Sequence, residues 1–173
     1  METTDFYVLK LQFKAEDVET GEMKKQKREF LAECVNYAEA EKLAYDIMED
    51  QGWMKHEFSK PEVVRITVKD LRTNSCITVE KESIGDFSEM YLEEEDDHFY
   101  KVDMSDPVED ENGKIKYVKI SLFIPASTTG EAETYARKLF TTAFVNSTKI
   151  MNFKSAFVTE SSLESIERNW QNM

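Results

Sequence analysis

One fifteen-residue stretch that occurs twice constrains this chain more than any other feature. Phe30-Leu-Ala-Glu-Cys-Val-Asn-Tyr-Ala-Glu-Ala-Glu-Lys-Leu-Ala44 is followed, 92 residues later, by Leu122-Phe-Ile-Pro-Ala-Ser-Thr-Thr-Gly-Glu-Ala-Glu-Thr-Tyr-Ala136. Each copy reads as the end of a strand, a capped turn and the start of a helix. The apolar positions Ala40, Leu43, Ala44, Ile47 and Met48 recur at helical spacing, matched one for one by Ala132, Tyr135, Ala136, Leu139 and Phe140. The chain is therefore read as one unit used twice.

The flanking residues extend the unit. Tyr7, Leu9, Leu11 and Phe13 alternate with Val8, Lys10 and Gln12, the period of a half-buried strand. A turn at Gly21 leads into a second strand from Met23 to about Cys34, and Asn36 with Glu39 forms a capping-box-like helix start. Gly52 closes that helix. A third strand is expected over 63–68 and a fourth over 76–80. In the second half, Tyr100, Val102 and Met104 keep the parity of Tyr7, Leu9 and Leu11, and Asn112-Gly113 marks the hairpin. Val118, Ile120, Leu122 and Ile124 form a buried face, Thr128 and Glu131 cap the helix, and 150–159 reads as the closing strand. Ser161 and Glu164 would cap a C-terminal helix carrying Leu163, Ile166 and Trp170.

The fold expected is α+β: two tandem ββαβ repeats with antiparallel sheets, one helix packed on each, and a short C-terminal helix. The first repeat would span 1–81, an acidic connector 82–97, and the second repeat with its helix 98–173. An isolated unit of roughly 60 residues has an exposed sheet and a marginal core, so two that cover each other make physical sense.

Charge is distributed unevenly. The net charge is -13, and between Glu80 and Glu111 lie 14 acidic residues against two lysines, leaving 21 acids and 20 bases elsewhere. No apolar run approaches the roughly 18 residues of a membrane span. The acidic start Met1-Glu-Thr-Thr-Asp5 lacks the regions of a signal peptide. Two cysteines, Cys34 and Cys76, make no disulfide framework, so they read as reduced and the protein as cytoplasmic.

The same residues carry a resemblance. Phe6-Tyr7, Gly21 with Lys24 and Lys25, Phe30-Leu31 and Ala38-Glu-Ala-Glu41 are joined in the second half by Phe99-Tyr-Lys-Val102 and by Gly113 with Lys114 and Lys116. Over about residues 5–165 the chain resembles a family of small proteins from Bacteroidetes and the phages that infect them, grouped only as a domain of unknown function. It departs from that pattern at Asn36-Tyr37, where members usually carry Ser or Thr and an aromatic. The resemblance implies a source, with host cytoplasm or virion as location for a phage protein, and implies no mechanism.

Chemistry is sparse. A nucleophile–base pair needs Ser, Cys or Lys beside His or another base, and the two histidines, His56 and His98, lie in no recognisable motif. Cys34 reads as a buried structural thiol. There is no Walker loop, GxGxxG, HExxH or zinc spacing, so no cofactor or metal is expected. The carboxylates of 93–97 and 106–111 would suit Ca²⁺ or Mg²⁺, but consecutive carboxylates diverge and EF-hand spacing is missing.

Three readings of function follow, none catalytic. The first is a protein-interaction or assembly module, of phage origin if the resemblance holds, contacting its partner through Glu93, Glu94, Glu95, Asp96 and Asp97. The second is a nucleic-acid-binding accessory factor. It would use Lys24, Lys25, Lys27, Lys116 and Lys119, with Phe6 and Phe99 as solvent-facing stacking aromatics opposite their strands' core residues. The third is an acidic nucleic-acid mimic that inhibits a basic enzyme. The bland alternative for the lysines is protection of hairpin edges from pairing with other chains; unprotected edges would permit an oligomer. No membrane partner is expected.

Overall fold

The computed structural model describes the backbone of residues 3–55, 59–68, 70–72 and 76–171, and side chains of 3–54, 59–68, 70–72 and 76–166. His56, residues 73–75 and the side chain of Trp170 lie outside the described residues. In chain order the elements are β1 Asp5–Glu16, β2 Met23–Cys34, α1 Tyr37–Asp50, a single 3₁₀ turn Trp53–Lys55, β3 Lys60–Ile66, β4 Asp70–Leu71, β5 Thr78–Ile84, β6 Phe87–Tyr91, β7 His98–Glu109, β8 Ile115–Ala126, α2 Thr129–Leu139, β9 Phe144–Ile150, β10 Ser155–Thr159 and α3 Glu160–Gln171. The chain is α+β, dominated by strands in two mixed, mainly antiparallel sheets.

The chain divides into two compact units. Unit 1 comprises Met1–Ile66, Val79–Met90 and Ser155–Leu163. Its sheet has the order β3-β1-β2-β10-β6-β5. The β1–β2 hairpin is paired without a bulge from Asp5↔Cys34 to Glu16↔Met23. Gly21 makes its turn possible at φ +72°, where a Cβ would be strained. Tyr7, Leu9 and Leu11 of β1, Ala32 and Cys34 of β2, and Phe157 of β10 bury one face against Ala40, Leu43, Ala44, Ile47 and Met48 of α1.

Unit 2 comprises Thr67–Thr78, Tyr91–Lys154 and Glu164–Met173. Its sheet has the order β4-β8-β7-β9. Tyr100, Val102, Met104, Ile120, Leu122 and Ile124 pack on Ala132 and Ala136 of α2. On the other face, Phe153 sits 5.5 Å from Phe99 and 5.3 Å from Phe123 between ring centroids.

Both expected helix caps form. Asn36 Oδ1 accepts from the Glu39 amide at 2.9 Å, and Thr128 Oγ1 accepts from the Glu131 amide at 3.1 Å. The returning arm of Glu39 takes the Val35 amide, at 3.3 Å, one residue before the cap. Glu131 Oε2 accepts from Ser127 Oγ at 2.7 Å, also one residue before its cap.

Several expectations are corrected. The stretch 150–159 is two strands, β9 in the four-stranded sheet and β10 in the six-stranded one. The stretch 82–97, expected as a connector, contains the end of β5 and all of β6. Ser88 and Met90 are buried there while Glu82 stays exposed, so carboxylates decorate a strand instead of preventing one. The sheets are not purely antiparallel: β10 runs parallel to β2 at Ala156↔Leu31, and β4 parallel to β8 at Asp70↔Leu122. These neighbours use the outer edges that each hairpin leaves unpaired. The cap of α3 is Thr159, whose Oγ1 accepts from the Ser162 amide at 3.3 Å, and not Ser161. Buried Glu33 anchors the same turn, accepting from Ser162 Oγ at 2.6 Å and Thr159 Oγ1 at 3.0 Å.

Candidate functional site

The acidic run forms an ordered turn leading into β7. Glu93, Glu94, Glu95 and Asp96 are exposed, while Asp97 is 9 % exposed. The Asp97 amide donates to the Glu94 carbonyl at 3.1 Å, closing the turn. Lys154 pins it from the side, its Nζ donating to the Glu95 carbonyl at 2.7 Å and its carbonyl accepting from the Leu92 amide at 3.0 Å. Four carboxylates in water on one turn make a strong local field without converging on a point.

The β1–β2 register separates the lysines expected to act together. Lys25 and Lys27 lie on the sheet face opposite α1, where Lys25 stands across from Lys14 and Lys27 across from Gln12. Lys10 shares that face, flanked by Glu29 and Glu62, and Lys60 stands across from Gln12 on the β3 side. Five lysines and three glutamates, Glu16 among them, thus occupy the far half of this face. Lys24 belongs to the other face and pairs with Asp17 at 2.8 Å. That contact, then the Glu19 amide, holds the Asp17 carboxyl below the usual carboxylate range. Arg28, also on the α1 side, lies 5.8 Å from the centroid of the Phe13 ring. In unit 2 Lys116 and Lys119 are three residues apart on β8, so the pleat sends them to opposite faces.

The aromatics expected to stack bases are not available for it. Phe6 is 5 % exposed and Phe99 fully buried. Near Leu31 and Phe123 both sheet faces are covered, so alternation alone does not identify the wet side. Other aromatics are exposed, Tyr37 and Tyr45 singly on α1 and two more together in unit 2. Tyr117 is 63 % and Phe144 50 % exposed, with ring centroids 6.0 Å apart in an edge-on arrangement. Tyr117 stands across from Pro107 on the face opposite α2, and Ile115 extends the patch. A signal was present in the sequence, because Tyr117 has the opposite parity to Ile120, Leu122 and Ile124. Val118, expected on the buried face, is exposed because the hairpin extends past the core under α2.

Unit 1 also carries a cleft of about 310 Å³ at the C-terminal end of α1. Phe30, Trp53 and Phe157 line it together with Asp50, Glu80 and Glu89. Trp53 is fixed by stacking on Phe13, with centroids 4.1 Å apart and planes 3° from parallel. Burial, then Glu80 and Asp50, push the Glu89 carboxyl up from its usual value, against a hydrogen bond from Ser155. Sequence reading missed this cleft because its walls come from β2, α1, β5, β6 and β10.

Cys34 is buried, and burial, then Glu39 and Glu33, push its thiol up to about 12, far from nucleophilic use near neutral pH. Among the described residues no group of His, Cys, Asp and Glu is placed to hold a metal ion. Among the same residues no helix is long and apolar enough to cross a membrane. No curated protein and no solved structure matches the chain. A family model does match, over residues 5–161 and so over nearly the whole hairpin, helix and strand framework described above: the chain belongs to the domain-of-unknown-function family DUF4494.

Proposed function

We propose that this protein is a non-catalytic protein-interaction or assembly module of the cytoplasm, built from two ββαβ units descended from one. The offset of 92 residues between the two helix starts supports common descent, as does the shared strand order in which the first strand of each hairpin lies between its partner and the strand after the helix. The resemblance of its motifs to small proteins from Bacteroidetes and the phages that infect them makes a phage-encoded role part of this proposal. The observation that carries the docking reading is the exposed pair Tyr117 and Phe144, extended by Ile115 on the same hairpin. Aromatic side chains with part of their area in water are the usual anchors of protein interfaces. The acidic turn 93–97 supplies a charged surface that would favour a basic partner.

A second reading rests on its own observation, the gathering of Lys10, Lys14, Lys25, Lys27 and Lys60 on one sheet face of unit 1. That face offers a row of cations to a phosphate backbone, although the net charge of -13 opposes long-range attraction.

One experiment separates the two. Full-length protein is used to capture partners from its native host, alongside a Tyr117→Ser/Phe144→Ser variant and a Lys25→Glu/Lys27→Glu variant, and each is titrated with labelled single-stranded DNA and RNA. The docking reading expects a specific protein whose retention falls about tenfold or more in the aromatic variant, the scale of losing an interface anchor. Equal retention by all three proteins would sink it. Low-micromolar, salt-sensitive nucleic-acid binding lost in the lysine variant would establish the second reading instead.

A further inference from the structure

The end of α1 breaks a local rule that α2 keeps. The C-terminal end of a helix carries partial negative charge, and basic residues in the last turn stabilise it. The last turn of α2 carries Arg137 and Lys138. The last turn of α1 carries Glu49 and Asp50 and no basic residue. Asp50 opens onto the cleft of about 310 Å³, where Glu80 and Glu89 add two more carboxylates. Among the described residues none of these three carboxylates forms an ion pair. Arg28 lines the cleft, but its Nη1 donates to the Lys27 carbonyl at 2.9 Å and its guanidinium lies near the Phe13 ring. Three carboxylates from a helix end and two strands therefore share the cleft with one guanidinium, and negative charge is in excess there. Local conflicts of this kind are expected where a site has a use other than stability.

The walls restrict what could balance the excess negative charge. The carboxylates are close enough for Glu80 and Asp50 to raise the Glu89 carboxyl, yet no three acidic groups among the described residues are placed to hold a metal ion. Phe30, Trp53 and Phe157 form an apolar, aromatic surface alongside them. Aromatic faces attract cations, and an apolar stem gains by covering such rings. The volume falls within the range of about 300–1,000 Å³ that small-molecule sites occupy.

We infer that the cleft between the end of α1, Trp53 and the β5–β6 hairpin is a receptor for an organic cation, an aliphatic ammonium or guanidinium on an apolar stem. Asp50, Glu80 and Glu89 accept hydrogen bonds from the charged head, and Trp53, Phe30 and Phe157 cover the stem. The cation comes either from a lysine or arginine side chain of a protein partner or from a free polyamine; the recognition chemistry is shared. The site lies in unit 1 and does not depend on the docking patch of unit 2.

Isothermal titration of the full chain tests this with two probes. One is 1,5-diaminopentane; the other is a short, end-blocked peptide whose single lysine is its one charged group, with norleucine in its place as control. A Glu80→Gln/Glu89→Gln variant removes two of the carboxylates, and a Glu93→Gln/Glu94→Gln variant removes the same charge from the acidic turn. Binding of either probe should weaken about tenfold or more in the cleft variant, the effect of losing hydrogen bonds to a charged group. It should change less than about twofold in the turn variant, where exposed charges act weakly. Binding of the peptide alone identifies a partner's side chain, and binding of the diamine alone a free polyamine. Absence of binding by both probes, or equal weakening in the two variants, would overturn the inference.

Discussion

The two units place different chemistry on corresponding frames. In unit 1 the far half of the β1–β2 hairpin pairs Lys14 with Lys25 on the face opposite α1. In unit 2 the corresponding ladder position on β7–β8 pairs Pro107 with Tyr117 on the face opposite α2. The helices diverge as well. Five apolar residues of α1 are buried, whereas in α2 only Ala132 and Ala136 are, with Tyr135, Leu139 and Phe140 half-buried at the rim of the core. Strand pairing and helix caps set the frame, and they make few demands on the side chains beyond the core. One hairpin end can therefore become basic and the other aromatic at little structural cost.

The largest measurable difference should come from the cores. Ile47 is 1 % exposed, so Ile47→Ala should cost about 2–5 kcal/mol, the usual loss for emptying a buried aliphatic site. Leu139→Ala, at the half-buried rim of the other core, should cost about half of that. Urea midpoints of the two variants measure both, and equal losses would contradict the difference in helix anchoring.

A smaller effect tests where the units should agree. Asn36→Ala and Thr128→Ala each remove a side chain that accepts from an amide two or three residues into its helix, and each should cost about 1 kcal/mol. A loss at one site with none at the other would show that the two caps do not carry equivalent helices.

The smallest effect concerns pH and belongs to unit 1. Burial, followed by Glu80 and Asp50, raises the Glu89 carboxyl in the folded chain. As pH rises past the ordinary glutamate value, the unfolded chain releases this proton first while the folded chain retains it. The contribution of Glu89 to stability therefore declines until the pH exceeds the raised folded value, and stays low above that. Glu89→Gln should raise the thermal midpoint at neutral pH and converge with the unmodified protein at pH below the ordinary glutamate range. A variant less stable at neutral pH would mean that its hydrogen bond with Ser155 outweighs the burial penalty.

Much of the frame was legible locally. The parity of Tyr7, Leu9 and Leu11 against Tyr100, Val102 and Met104 identified core faces, since alternation is a property of the pleat itself. Asn36 with Glu39, and Thr128 with Glu131, announced helix starts because their bonds span only a few residues. The error at Phe6 and Phe99 had a physical origin: a strand covered on both sides does not reveal a wet face by alternation. The aromatic patch was half legible, as Tyr117 stood at a wet parity, but the proximity of Phe144 depends on β9 pairing with β7. The cleft was not legible at all, because Glu80 and Glu89 of one hairpin meet Asp50, Trp53 and Phe157 from distant parts of the chain.

The sequence by itself determined the hairpins, the helix starts and the uneven charge, which are all set by spacing and by contacts within a few residues. Only the tertiary structure decided which strand joins which sheet. Short segments such as β4 and β10 have no stable pairing of their own, and they take the partner whose open edge and buried surroundings satisfy their backbone. The same step divided the lysines between faces, buried Phe6 and Phe99, and gathered three separated carboxylates around one cleft.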